Sequence, residues 1–435
     1  MAKKLFNRLS DAVKKRTNGN PRIVEADEHG INPSEVSRSA RHVVEVLVEG
    51  GYEAYIVGGS VRDLMLGLHP KDFDIATDAR PEQVKNLFDR CRIVGRRFRL
   101  AHVYVGRDLI EVATFRGGHR SRSGRAHVSV TLGGRILRDN AYGTIDRDAL
   151  RRDFTANSLF YDPTRNTVLD FVGGVEDLKQ RRLRMIGKPA VRFREDPVRL
   201  LRAVRFAAKL NFRMDPAMEQ LIPELANLLD AISPARLFDE GIKLLHSGAA
   251  ERTFELLRDK GLLHQLFPRT EAALERDHPE DLEFIRLALA NTDERVRSGM
   301  PVSPAFAYAV LMWPYVRQLL DELEPGEFSP RDALAICADR ALEHQARTIS
   351  IPFRHAQMIR EIWIRQPQLE AGPRSHPERV MSRSAFRAAY DFLGLRALRA
   401  ERLQGAYQAW TRAQEKYETG PSDAPRRRRR RRRRR

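Results

Sequence analysis

Two aspartates lie two residues apart in the run Asp72-Phe73-Asp74-Ile75. The polar–apolar alternation predicts a half-buried strand, on which residues i and i+2 share a face. Carboxylates held side by side repel unless a cation sits between them. Mg²⁺ takes oxygen ligands and suits such a pair. Two ions about 3.5–4 Å apart can activate a hydroxyl and stabilise a departing pyrophosphate. A solvated acidic edge is the plainer meaning of an isolated Asp-x-Asp run, but this pair follows Gly58-Gly59-Ser60-Val61-Arg62-Asp63 by about ten residues. Gly-Gly before a helix can be a plain turn. It can also bring backbone N–H groups and a helix start up to a phosphate, with Arg62 adding a cation one turn in.

Three further sets of residues could join this chemistry. Glu111, in Ile110-Glu111-Val112-Ala113-Thr114, is either an exposed face residue or a third carboxylate beside the pair. Arg151-Arg152-Asp153-Phe154-Thr155-Ala156-Asn157 is either a surface ion-pair cluster or a bidentate grip on triphosphate, with Asp153 holding the arginines. Glu195-Asp196-Pro197 opens a helix with acids and proline, as capping favours. Arg199, Arg202 and Arg205 follow at intervals of three and share a face. That face is either solvated or an edge that reads phosphate and base, with Asp196 and Arg199 meeting the base.

The elements that must position these groups can be read from the pattern. Ser37–Glu49 has helical apolar spacing. Tyr55–Val57 reads as a strand, Ser60–Leu66 as a helix closed by Gly67, and Pro81–Asp89 as a helix. Val103–Val105 and Leu109–Phe115 flank Gly106-Arg107-Asp108 as a hairpin. Residues 117–134 read as a flexible basic loop. After Leu150 the texture turns helical, with amphipathic stretches at Val198–Leu210 and Leu237–Leu245 and helix from about 250 to 415. The fold class is therefore an α/β head with an all-α remainder. The expected parts are a flexible basic arm (1–35), a head (36–185), a helical neck (186–250), a helical body and tail (251–418) and a disordered linker with an arginine tail (419–435).

Charge narrows the partners. The chain carries a net +19, and removing the ten arginines of 426–435 still leaves about +9. A basic body with a basic end points to a polyanion, chiefly nucleic acid. No apolar run approaches membrane-spanning length, so no membrane partner is expected. Cys91 and Cys337 make no metal spacing and fit a reducing compartment, read as the cytoplasm.

Together these motifs resemble the polymerase-beta-type nucleotidyltransferases, specifically the branch of bacterial poly(A) polymerases and CCA-adding enzymes. The resemblance covers about residues 35–245. It implies a mixed-sheet head, with helical neck, body and tail. It implies that Asp72 and Asp74 hold two Mg²⁺ ions, that Asp153 belongs to the active site, and that Asp196 and Arg199 contact the base. The nucleotide-binding set is then Gly58, Gly59, Ser60, Arg62, Arg116, Arg152, Asn157, Asp196, Arg199, Arg202 and Arg205. Ile93-Val94-Gly95-Arg96-Arg97-Phe98-Arg99-Leu100-Ala101-His102-Val103 is similar to the stretch that marks the poly(A) polymerases, as are the extended N-terminus and arginine tail. No His is followed by Asp, so the phosphohydrolase domain of some CCA-adding enzymes is not expected. The implied activity is template-independent addition of AMP from ATP to RNA 3′ ends, serving RNA polyadenylation and turnover, with RNA-degradation or RNA-chaperone proteins as candidate partners. CCA addition to tRNA is the alternative.

Overall fold

The computed structural model describes residues 20–95, 99–117, 142–276 and 278–419. The expectations for residues 1–19, for Arg96, Arg97 and Phe98, for most of the basic loop (118–134) and for the arginine tail lie outside these residues. The chain forms two compact units, divided between Ile232 and Ser233. That division falls inside the expected neck.

The first unit is built on an eight-stranded mixed sheet, in the order β1-β8-β7-β2-β3-β6-β5-β4. The strands are β1 (Arg22–Val24), β2 (Ala54–Val57), β3 (Asp74–Thr77), β4 (Cys91–Val94), β5 (Leu100–Val105), β6 (Asp108–Thr114), β7 (Leu159–Asp162) and β8 (Thr167–Asp170). Every neighbouring pair is antiparallel except β3 with β6, which run parallel. Helix α1 (Arg38–Glu49) starts at Ser37, whose Oγ accepts the Ala40 N–H at 3.4 Å. It buries Val43, Val44 and Leu47 completely, each contributing about 1.5–3 kcal/mol. Under the sheet, Val57, Ala76, Phe115, Ala149 and Phe160 form one apolar cluster.

Four expectations change. The arm expected over 1–35 is shortened, because β1 pairs with β8 and a helical turn (Ala26–His29) follows it. The strand expected at 72–75 begins at Asp74: Val57 pairs opposite Asp74 and the chain then turns at Gly58, so Asp72 has no ladder partner. Its alternation survives, with Phe73 and Ile75 buried and Asp72 and Asp74 exposed. The helical texture expected after Leu150 is interrupted by the β7–β8 hairpin. Strand β4 was not foreseen, since Cys91-Arg92-Ile93-Val94 has too short an apolar alternation to stand out. The hairpin between β5 and β6 is as expected, with Gly106 at φ 59° in its two-residue turn.

Further helices among the described residues of the unit include α2 (Gly59–Met65), α3 (Pro81–Leu87), α4 (Ile145–Arg151), α5 (Gly174–Lys179), α6 (Pro189–Glu195) and α7 (Val198–Leu210). The second unit, from Ser233, is helical. Its cores are aromatic: Phe392 is ringed by Phe284, Phe306 and Trp313 at 5.2–6.3 Å. The Trp363 and Trp410 indoles donate to the carbonyls of Ala309 (3.1 Å) and Leu369 (2.9 Å). Among the described residues no helix is long and apolar enough to cross a membrane.

Candidate active site

Sheet register assembles the carboxylates. Asp74 opens β3 and pairs directly with Glu111 on the parallel β6. On the other side of β3, Val57 of β2 faces Asp74 and leads into the Gly58 turn. The turn, the aspartate and the glutamate thus occupy three adjacent strands. Asp74 keeps accessible surface, yet protein on its flanks desolvates it. Burial first, and then repulsion by Glu111 and Asp72, push its carboxyl up to about 6 against the pull of Arg152. Glu111 also faces His102 across β5, with Nε2 3.5 Å from Oε1.

Carboxylates crowded enough to raise the proton affinity of Asp74 offer oxygen donors of the kind a hard divalent cation takes. Among the described residues no group of three or more His, Cys, Asp or Glu side chains is placed to hold a metal ion.

Gly58, at φ 76° and ψ −128°, caps α2 in a conformation reserved for glycine. A Cβ there would stand 3.3 Å from Arg152 Nη1. Arg152 is held in place from three directions. Its Nε and Nη2 donate to Asp148 Oδ2 (3.1 and 2.9 Å), its Nη1 donates to the Asn157 carbonyl (3.3 Å), and its guanidinium lies 5.0 Å from the Phe160 ring. The other Asp148 oxygen accepts the Arg116 N–H at 3.2 Å. Asp148 therefore holds the Arg152 guanidinium and the Arg116 backbone.

Behind the turn the expected ligands have other partners. Ser60 Oγ donates to the Val57 carbonyl (3.1 Å). Arg62 is 3% exposed. Its Nε donates to Asp63 (2.7 Å) and its Nη1 to Asn157 Oδ1 (2.6 Å). Asn157 Nδ2 reaches Asp153 Oδ1 (3.4 Å), and Asp153 Oδ2 takes two donors from Arg202, at 2.7 and 2.5 Å. Burial would raise the Asp153 carboxyl, but Arg202 and the donors around it hold it below the usual range. Asp63, Arg62, Asn157, Asp153 and Arg202 thus form one cross-link. Arg62, expected as a cation near the phosphate turn, and Asp153, expected in the active site, are thus each paired within this network, as burial of unpaired charge would be costly.

Helix α7 carries the arginine face. Arg202 and Arg205 lie 5.5 and 4.7 Å from the Phe206 ring, and Arg62 approaches the same ring at 5.4 Å. Arg199 Nη1 donates to the Arg192 carbonyl (2.7 Å) and to Glu195 Oε2 (3.2 Å). Asp196, at the junction of α6 and α7, accepts the Arg199 N–H through its carbonyl at 3.0 Å. Asp148, Arg192 and Phe206 escaped the sequence reading. Asp148 could have been found, since it stands four residues before Arg152 on a helix. Arg192 and Phe206 leave no such spacing signal.

With this geometry in view, comparison with known proteins is specific. Residues 54–184 match the family described as poly A polymerase head domain. Residues 211–274 match "probable RNA and SrmB-binding site of polymerase A", and residues 326–435 match "polymerase A arginine-rich C-terminus". Poly(A) polymerase I of Haemophilus influenzae is 47% identical over 378 residues, covering 86% of this chain and 84% of that one. The Salmonella typhimurium protein of the same name is 44% identical, covering 86% and 81%. A CCA-adding enzyme of Lactobacillus helveticus is 37% identical over 225 residues, covering 51% and 53%. Among solved structures, a tRNA nucleotidyltransferase complexed with a primer tRNA and an incoming ATP analog superposes with a TM-score of 0.60. It is 22% identical and covers 86% of this chain and 99% of that one. At that identity the likeness establishes the fold.

Proposed function

The chain belongs to the poly(A) polymerase family, and from that premise we infer that it is a polynucleotide adenylyltransferase. It transfers AMP from ATP to RNA 3′-hydroxyl ends and releases pyrophosphate. CCA-adding proteins are more distant relatives, matched over about half the chain.

The observation that carries the assignment of the site is the in-register pairing of Asp74 with Glu111 beside the Gly58 turn. In this reading Asp72 and Asp74 hold two Mg²⁺ ions, with Glu111 as the neighbouring third carboxylate. Bound there, Mg²⁺ lowers the pKa of the attacking hydroxyl and offsets charge on the leaving pyrophosphate. The chain's own groups do the rest. Gly58 and Gly59 let the phosphates approach the backbone, and Arg152, held on Asp148, supplies cationic contact together with Arg116, whose backbone the same aspartate holds. Ser60, Arg62, Asn157, Asp153 and Arg202 fix the turn and the arginine face from behind. Asp196 and Arg199 meet the adenine edge, where fixed hydrogen-bonding groups penalise a base that leaves them unsatisfied. Arg205 lies along the same face for phosphate.

The head of this reading spans 36–185, the neck 186–250 and the RNA-binding body and tail 251–418. The arginines of 426–435 contact RNA phosphates. A chain ending at Pro425 should therefore show a shallower dependence of log affinity on log salt. The reading also includes a role in mRNA processing and turnover in the cytoplasm, alongside RNA-degradation or RNA-chaperone partners.

The direct test supplies a generic RNA primer with each single NTP. ATP alone should give long adenylate tracts and CTP little. Addition of two C residues and one A to a tRNA lacking its 3′ end, with no extension of generic RNA, would replace this reading with CCA addition.

A further inference from the structure

Arg192 stands between the two parts of the site and has no role in the reaction as described so far. It is 9% exposed. Its Nη2 donates to the carbonyls of Arg151 (2.5 Å) and Arg152 (2.6 Å), at the end of α4. Its Nη1 donates to Glu195 Oε2 at 2.8 Å. The same Glu195 oxygen accepts Arg199 Nη1, and Arg199 Nη1 also reaches the Arg192 carbonyl. Burial and nearby Arg199 disfavour charge on Arg192, while Glu195 favours it. The guanidinium is therefore kept for its fork of donors, which a point charge could not reproduce.

We propose that Arg192 is a positioning residue. It locks the carbonyls of Arg151 and Arg152, and hence the arginine that lies against Gly58, to the Glu195–Arg199 pair. The triphosphate grip and the base-reading side chain are thereby held in one register. Without this link Arg199 keeps its charge and its helix but loses one wall of its socket. Each nucleotide is then held by groups whose spacing is no longer fixed, and the penalty for the wrong base falls. This inference rests on the reading of Asp196 and Arg199 as base contacts.

The test is the ratio of kcat/KM for ATP to kcat/KM for CTP on one RNA primer. The ratio cancels any change in the folded fraction of a variant. It is measured for the wild type, Arg192→Lys, Arg192→Ala and Arg199→Lys. Arg192→Ala should lower the ratio roughly tenfold, as expected when fixed polar groups lose their geometry, and Arg192→Lys should fall between it and the wild type. Should Arg192→Ala not fold, Arg192→Lys alone carries the comparison. Arg192 variants that lose activity equally on both nucleotides, while Arg199→Lys lowers the ratio, would overturn the positioning role and leave Arg192 a structural clamp. An unchanged ratio in Arg199→Lys would overturn the base-contact reading itself, and this inference with it.

Discussion

The head and the helical unit differ in how much charge they bury. Behind the Gly58 turn the head buries charge: Arg62 at 3%, Asp153 at 9% and Arg192 at 9% exposure, each tied by side-chain or carbonyl partners. The helical unit buries mostly rings, with the Trp363 and Trp410 indoles donating to backbone carbonyls, and among the described residues fewer charges, such as Asp281 on Arg317 and Asp293 on the Ala250 and Glu251 N–H groups. Apolar packing is tolerant of exchange at constant volume. A buried charge network is not, because removing one member leaves another unpaired. The head gains fixed directions for its arginines, and the helical unit draws more of its cohesion from packed rings.

The sharpest way to break this contrast is at the carboxylates. Asp74→Asn or Asp72→Ala should lower adenylate addition by several orders of magnitude, since each removes a metal donor. Resistance to urea should not fall, because both side chains are exposed and Asp74 is repelled by Glu111. Near-normal turnover in either variant, measured with saturating ATP and Mg²⁺, would remove them from the reaction.

Next is the helical unit. Trp363 is fully buried, and Trp363→Ala should cost about 3–5 kcal/mol. The loss should appear in urea denaturation, with turnover per folded molecule retained. A head strut should behave differently. Arg62→Ala leaves Asn157 Oδ1 without its donor, so it should cost about 3 kcal/mol and lower turnover as well. A raised KM for ATP at unchanged stability would instead make Arg62 a direct phosphate contact.

The smallest effect concerns close packing. A Cβ on Gly241 would fall 2.3 Å from Tyr308 Oη, so Gly241→Ala should cost about 1–3 kcal/mol. The Tyr308 hydroxyl is buried with no hydrogen-bond partner among the described residues. Tyr308→Phe should therefore be nearly neutral alone and should restore much of what Gly241→Ala loses. A double variant no better than Gly241→Ala would show that the strain lies elsewhere.

The broad class of fold and the residues of the candidate site were more legible in the sequence than the connections between them. Asp72 and Asp74 were legible because a two-residue period survives even where the ladder does not. The Gly58 turn was legible because only glycine meets its backbone angles. Glu111 stayed open in the sequence, since only parallel pairing with a strand 37 positions earlier in register puts it beside Asp74. The burial of Arg62 was not legible for a related reason. A short-range pattern shows a cation near a phosphate turn, but its burial depends on Asn157, which lies 95 residues away. Strands β7 and β8 were lost in a helical context because both are short and buried on nearly every residue, which removes the alternation that marks a strand.

One small element has a wider consequence. β1 is three residues long and covers the flank of β8, with Arg22 bound to Glu28 and Glu28 to Lys179. A bare β8 would present unpaired N–H and C=O groups to any other extended chain. The short charged strand closes that template. A protein trimmed to begin after residue 35 would keep every catalytic group and still expose a surface able to recruit copies of itself. Its solubility would then depend on concentration, which makes this short strand a guard against self-pairing rather than a dispensable lead-in.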